Sequence, residues 1–174
     1  MWGDDYFQGR RQQPTQGSFE AAQICLNGHV INSMCRKYPE LNKAHCSECG
    51  EKTITHCQSC NQLIKGRYEL PSVVDFSPFH KSAYCDSCGQ PYPWTQRSQE
   101  AATELIEFSD ALSQTEKDDF KNSIKDLIVQ SPKTNLAVAK YKTYIKKAGT
   151  EITKGLKDVL VDIVSEAVKK SIWG

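Results

Sequence analysis

Eight cysteines occupy one stretch of a 174-residue chain, Cys25 to Cys88, and six of them form three Cys-x-x-Cys pairs: Cys46/Cys49, Cys57/Cys60 and Cys85/Cys88. Two pairs run into glycine, at Gly50 and Gly89. This is the sequence form of a metal-binding knuckle, in which a tight turn aims two thiolates at one ion and glycine lets the backbone turn away. A disulfide framework is the competing chemistry, but the N-terminus MWGDDYFQGRRQQ carries no secretory signal and the cysteines come as close pairs. Two structural Zn²⁺ ions are the expected cofactors.

Four ligands per zinc require a fourth pair, and Cys25-Leu-Asn-Gly-His29 supplies it. Cys35 is the rival to His29 for that position; the spacing from Cys25 favours His29, and Cys35 otherwise reads as a small buried hydrophobe. The expected metal ligands are therefore Cys25, His29, Cys46, Cys49, Cys57, Cys60, Cys85 and Cys88, with Cys35 as the alternative. His45 and His56 each precede a ligand cysteine, where adjacent side chains rarely converge on one ion, and His80 reads as a surface residue. Two pairings remain open. Sequential pairing joins Cys25, His29, Cys46 and Cys49, then Cys57, Cys60, Cys85 and Cys88, giving tandem zinc ribbons. Cross-braced pairing, as in RING-type domains, joins the first pair to the third and the second to the fourth. The glycine after the second knuckle of each sequential site, and the strand-like segments Leu63-Ile64, Tyr68-Glu69-Leu70 and Val73-Val74, favour ribbons.

Cys25-Leu-Asn-Gly-His29-Val30-Ile31, the double knuckle from Cys46 to Cys60, Ile64-Lys65-Gly66 and the run from Cys85 through Gly89-Gln90-Pro91-Tyr92-Pro93 to Trp94 resemble a bacterial double zinc-ribbon family known as a domain of unknown function. The resemblance is closest over residues 23 to 95 and looser across the remainder. It implies zinc ligation by the matching Cys and His positions and a bacterial cytoplasmic setting. It brings no activity with it.

The elements that must carry these ligands divide the chain into three. Residues 1–20 are polar, with Trp2, Tyr6 and Phe7 near the start, and read as a disordered tail. Residues 21–95 are the double zinc-ribbon domain. Pro91-Tyr92-Pro93-Trp94 is expected to stop its last strand and cover the edge with aromatic surface. Residues 96–174 read as a small four-helix bundle, so the fold class is α+β. Its first helix follows Ser98 and faces Ala102, Leu105, Ile106 and Ser109 inward. Ser113-Gln-Thr-Glu116 is a capping box for the second, with Phe120, Ile124, Leu127 and Ile128 along one stripe. Ser131-Pro132 starts the third, which Gly149 ends. Thr150 caps the fourth, whose Ile152, Leu156, Val159, Leu160, Ile163, Val164 and Ala167 form one broad apolar face.

Charge narrows the function. The chain holds 22 Lys+Arg against 21 Asp+Glu, a formal +1, which argues against bulk electrostatic attachment to nucleic acid or membrane. Seven thiolate ligands and two Zn²⁺ bring the first 97 residues to about −2. One region opposes this: no acid lies between Asp126 and Glu151, while Lys133, Lys140, Lys142, Lys146 and Lys147 accumulate there. They are either stems lying along the rim of a buried face or an anion-binding surface. A full set of Cys ligands describes a closed structural site, no catalytic motif accompanies it, and nothing gives Cys35 a base, so no enzyme is expected. The expectation is a cytoplasmic protein–protein interaction adaptor with a protein partner or a homo-oligomer, and with neither membrane contact nor small-molecule substrate. The alternatives are a nucleic-acid-binding regulator using the lysine helix and a RING-like cross-braced ligase adaptor.

Overall fold

The computed structural model of the chain describes residues 17–70 and 77–174. Its first half is short strands and tight turns. Strand β1 (Ser18–Ala21) pairs antiparallel with β5 (Lys65–Glu69), setting Phe19 opposite Tyr68, with a register shift between Phe19 and Ala21. A second sheet places β2 (Gln23–Cys25) between β3 (Val30–Asn32) and β4 (Thr53–Ile54), with Ile24 facing both Val30 and Ile54 across the strands. A 3-10 turn at Pro39–Leu41 lies between β3 and β4. β1 thus begins inside the segment expected to be a loose tail, while the rest of that tail, with Trp2, Tyr6 and Phe7, lies outside the described residues. Val73 and Val74 also lie outside them.

Five helices follow: α1 (Pro93–Glu107), α2 (Gln114–Ile128), α3 (Thr134–Ala148), α4 (Thr150–Leu160) and α5 (Glu166–Trp173). α1 starts five residues before the expected Ser98, because extended Tyr92 precedes Pro93 at the first helical position, where proline's fixed φ suits the helix and its missing amide costs nothing. The capping box at α2 forms as the sequence predicts: the Ser113 Oγ accepts from the Glu116 amide at 3.4 Å, and Glu116 Oε2 accepts from the Ser113 amide at 3.0 Å. α3 begins two residues beyond Pro132, after Ser131 and Thr134 have tied the entry turn through a 2.9 Å bond from the Ser131 amide to Thr134 Oγ1.

Gly149, at φ +90, turns α3 straight into α4, and Thr150 makes no side-chain cap. The single last helix read from the sequence is two. The β-branched run Val161, Ile163 and Val164 is a weak helix former, and Ser165 caps α5 by accepting from the Val168 amide at 3.3 Å. The break shifts the helical phase. Ile163 and Val164 are buried in the joint and Val168 faces inward, whereas Ala167, expected on the apolar face, is exposed.

α1 packs on α2 and α4, α2 on α3, and α5 on α3. Most buried apolar residues of the sheets and the helices form one cluster, running from Ile24 and Ile54 through Tyr92 and Trp94 to Ile106, Phe120 and Leu160. Tyr92 and Trp94 are each only 2% exposed and stack with ring centroids 4.6 Å apart. They do not coat a strand edge as expected; they join the two halves. Among the described residues, no helix is long and apolar enough to cross a membrane.

Candidate metal centres

Each Cys-x-x-Cys turn is built by the same backbone bonds. The amide of the first cysteine donates to the carbonyl five residues on (Cys46 to Glu51, 2.8 Å; Cys57 to Gln62, 2.8 Å; Cys85 to Gln90, 2.9 Å). Its carbonyl accepts from the residue just after the second cysteine, at Gly50, Asn61 and Gly89. Those three have φ of +72, +58 and +71, and Asn61 shows that the turn needs the left-handed conformation rather than glycine itself. The Cys25-to-His29 turn is closed differently, by Gly28 donating to the Cys25 carbonyl and by the His29 amide donating to Cys25 Sγ at 3.2 Å.

These turns converge on two four-donor sets: Cys25, His29, Cys46 and Cys49, and Cys57, Cys60, Cys85 and Cys88, with the ligand atoms of each set within 4.8 Å of one another. In the first, Cys25 Sγ lies 3.4 Å and Cys46 Sγ 3.5 Å from His29 Nδ1, and Cys25 Sγ lies 3.8 Å from Cys49 Sγ. In the second, Cys57 and Cys88 are 3.8 Å apart and Cys60 and Cys85 are 3.7 Å apart. A tetrahedral zinc with bonds of about 2.3 Å to sulfur and 2.0 Å to nitrogen sets sulfurs ~3.8 Å apart and sulfur from nitrogen ~3.5 Å. The donors sit on those edges, far beyond the ~2.05 Å of a disulfide. Both sets are positioned to hold metal ions, with zinc the metal that suits them.

The grouping is sequential, not cross-braced. Cys35 belongs to neither set; it is buried, its amide bonds to the Ala21 carbonyl, and burial followed by the nearby Glu20 carboxylate pushes its thiol up. His45 and His56 are exposed, each forming an isolated antiparallel bridge to a residue beyond its own knuckle, Lys52 and Leu63. His80 is exposed and lies in neither set.

The electrostatics call for a cation. The Glu51 amide, with Asn27 and His29, outweighs burial and pulls Cys49 down to about 6. At Cys85, burial is outweighed by the Ser87 and Cys88 amides, which hold it at about 6. The Gln62 amide favours the Cys60 thiolate, yet burial and the sulfurs of Cys88, Cys85 and Cys57 push Cys60 up to about 12. Four thiols in one pocket do not all ionise unaided, and a divalent ion removes that repulsion.

Several residues around the ligands were not legible as site residues from the sequence. Glu48 places a carboxylate 3.6 Å from His29 Nε2, on the side away from the sulfurs, the usual arrangement of a metal-binding histidine. Asn27 Nδ2 donates to Cys49 Sγ at 3.5 Å. Arg97 of α1 reaches both Asn27 Oδ1 and, at 2.7 Å, Glu51 Oε2. Burial, then a hydrogen bond to the Cys85 sulfur, pushes the Tyr92 phenol well above its ordinary value.

The lysines of α3 divide. Lys140 pairs with Asp119 at 2.5 Å and Lys147 with Glu116 at 2.6 Å, both across to α2. Ala137 and Tyr141 of the same helix are buried, so these two lysines line the rim of a packed face. Lys133, Lys142 and Lys146 are exposed and have no ion-pair partner among the described residues.

No curated protein and no solved structure matches the chain. Residues 18–172 match the family described as "uncharacterized protein conserved in bacteria" (DUF2321), and the chain belongs to that family.

Proposed function

We propose that this chain is a zinc-binding adaptor of the bacterial cytoplasm, in which tandem zinc ribbons and a helical bundle form a rigid platform for a protein partner. Zinc acts as a structural ion. Each set supplies four protein donors, leaving no position for water or substrate, and these two sets are the only metal-ligand groupings among the described residues. That closure argues for a scaffold rather than an enzyme.

The observation that favours a protein partner over nucleic acid is charge pairing beside the exposed aromatics. Phe19 (48% exposed) and Tyr68 (44%) pack against each other across β1 and β5, tilted by 56° with ring centroids 4.8 Å apart, with Lys65 over the Phe19 ring. Three of the cations around them are matched by acids: Arg36 with Glu20, Lys37 with Glu69, and Lys65 with Asp86. A surface built to hold phosphates leaves its cations free. Of the five lysines named for the nucleic-acid reading, Lys140 and Lys147 are paired, which leaves Lys133, Lys142 and Lys146, and the cross-braced ligase reading loses its premise with the sequential grouping.

The test is a photo-crosslinking residue in place of Tyr68, used in bacteria that carry the chain natively. A protein adduct that survives nuclease and disappears with Phe19→Ala supports the adaptor. Nuclease-sensitive adducts, or none at all, contradict it.

A further inference from the structure

The two donor sets share no ligand, yet one helical turn touches both. On the first set's side, Arg97 holds Asn27 and Glu51; Asn27 donates to Cys49 Sγ, and Glu51 lies two residues beyond Cys49. Gly28, inside the Cys25-to-His29 turn, lies against Trp94, so that a β-carbon there would be 2.9 Å from Trp94 Cβ. On the second set's side, Trp94 Nε1 donates to the Ser82 carbonyl at 3.0 Å and Thr95 Oγ1 to the Ala83 carbonyl at 2.7 Å. The Tyr92 amide donates to the same Ala83 carbonyl at 3.0 Å, and Tyr84 bridges to Pro91. The segment Ser82–Tyr84 leads directly into Cys85.

We infer that residues 92–97 couple the two metal centres, so that filling one raises the affinity of the other. This rests on the reading of both sets as metal sites. The physical reason is shared ordering. Ligation fixes the Cys25-to-His29 turn and the Cys46-to-Glu51 knuckle, and these are the floor on which Trp94 and Arg97 sit. Tyr92, Trp94 and Thr95, buried and bonded to the carbonyls of Ser82 and Ala83, in turn fix the approach to Cys85. When one set orders this turn, the other no longer bears that cost, and by linkage the gain is equal in both directions. Arg97 is a positioning residue here, acting on the cysteine through Asn27, as partners beyond the ligand shell commonly tune metal affinity.

The experiment uses the full chain stripped of metal and titrated with cobalt(II), whose visible bands distinguish the histidine-containing set from the all-cysteine set. The affinity of the all-cysteine set is measured in wild type, His29→Ala, Arg97→Ala and the double variant. Disabling the first set with His29→Ala should weaken the all-cysteine set by about 5-fold or more, and that penalty should shrink once Arg97 is alanine. Asn27→Ala, which removes one of the two acceptors of Arg97 without altering α1, should reduce the penalty in the same direction, and by less because Glu51 still holds Arg97. Helical circular dichroism of each protein reports whether the bundle is retained. Equal affinity of the all-cysteine set in wild type and His29→Ala overturns the coupling while leaving both metal sites in place. A penalty undiminished by Arg97→Ala overturns the assignment to this turn. Absence of either set of bands in wild type overturns the metal reading and the coupling with it.

Discussion

Gly28 lies directly beneath Trp94. A β-carbon at Gly28 would sit 2.9 Å from Trp94 Cβ and 2.8 Å from Lys81 Cε, on a backbone already at φ +92. The turn that carries Cys25 and His29 is therefore closed by the tryptophan joining sheet to helix. Gly28→Ala should cost about 1–3 kcal/mol for the forced repacking beyond the cost of a positive φ alone. Gly50→Ala and Gly89→Ala meet nothing within 4 Å and should cost only the φ strain of about 1–2 kcal/mol. Denaturant unfolding of the three metal-loaded variants checks the ordering. Equal losses at all three positions would show that the Trp94 contact is without consequence.

The apolar face of the last two helices is used inside the chain. Leu156 and Leu160 are fully buried, and Trp173 donates from Nε1 to the Tyr141 hydroxyl at 3.1 Å. Leu160→Ala should lower stability by about 2–5 kcal/mol, the range for truncating a buried leucine. Sedimentation at matched loading should give the same oligomeric state before and after. A change of assembly at unchanged stability would place that face in an interface between molecules.

The paired lysines of α3 should behave as structural groups. Lys140→Ala and Lys147→Ala break their contacts with Asp119 and Glu116 and should lower the Tm slightly, whereas Lys142→Ala and Lys146→Ala should leave it unchanged. Anisotropy titrations against labelled single- and double-stranded nucleic acid at low salt should show no binding. Tight binding that weakens steeply with salt and with loss of Lys142 and Lys146 would move the nucleic-acid reading to first place.

Glu116 ties the capping box of α2 to α3. Lys147, then the Ser113 amide and hydroxyl, bring its carboxyl from an ordinary 4.5 to about 2. A folded-state value below the unfolded one means that its stabilisation is complete above about pH 5 and is lost as the pH falls through 4.5 towards 2. The Tm gap between wild type and Glu116→Gln should be constant at neutral pH and close on acidification. Both proteins face the same proton competition at their thiolates, so the difference isolates Glu116. A gap that holds steady to pH 2 would mean that the carboxylate charge is not what stabilises.

What the sequence revealed and what it hid follow from range. The three Cys-x-x-Cys knuckles were legible because each is a local turn whose ligands lie three residues apart and whose left-handed position follows at once. The capping box at Ser113 and Glu116 was legible for the same reason. Asn27 and Arg97 are 70 residues apart, and no local pattern marks them as partners. Pro91-Tyr92-Pro93-Trp94 read as the end of a strand because proline and aromatics at a boundary suit that role; only the packing of both halves buries Tyr92 and Trp94 and turns Pro93 into the start of α1. The break after Leu160 was hidden by an apolar spacing that stays helical through Val164, although the β-branched run and Ser165 carried the signal.

The most direct test of the account is the zinc content and X-ray absorption of the protein as purified, with its intact mass. The prediction is two zinc ions per chain, seven sulfur ligands and one nitrogen shared between them, and a mass that leaves all eight cysteines reduced. One ion, a sulfur-only ligand shell, or a mass reduced by disulfide formation would contradict it.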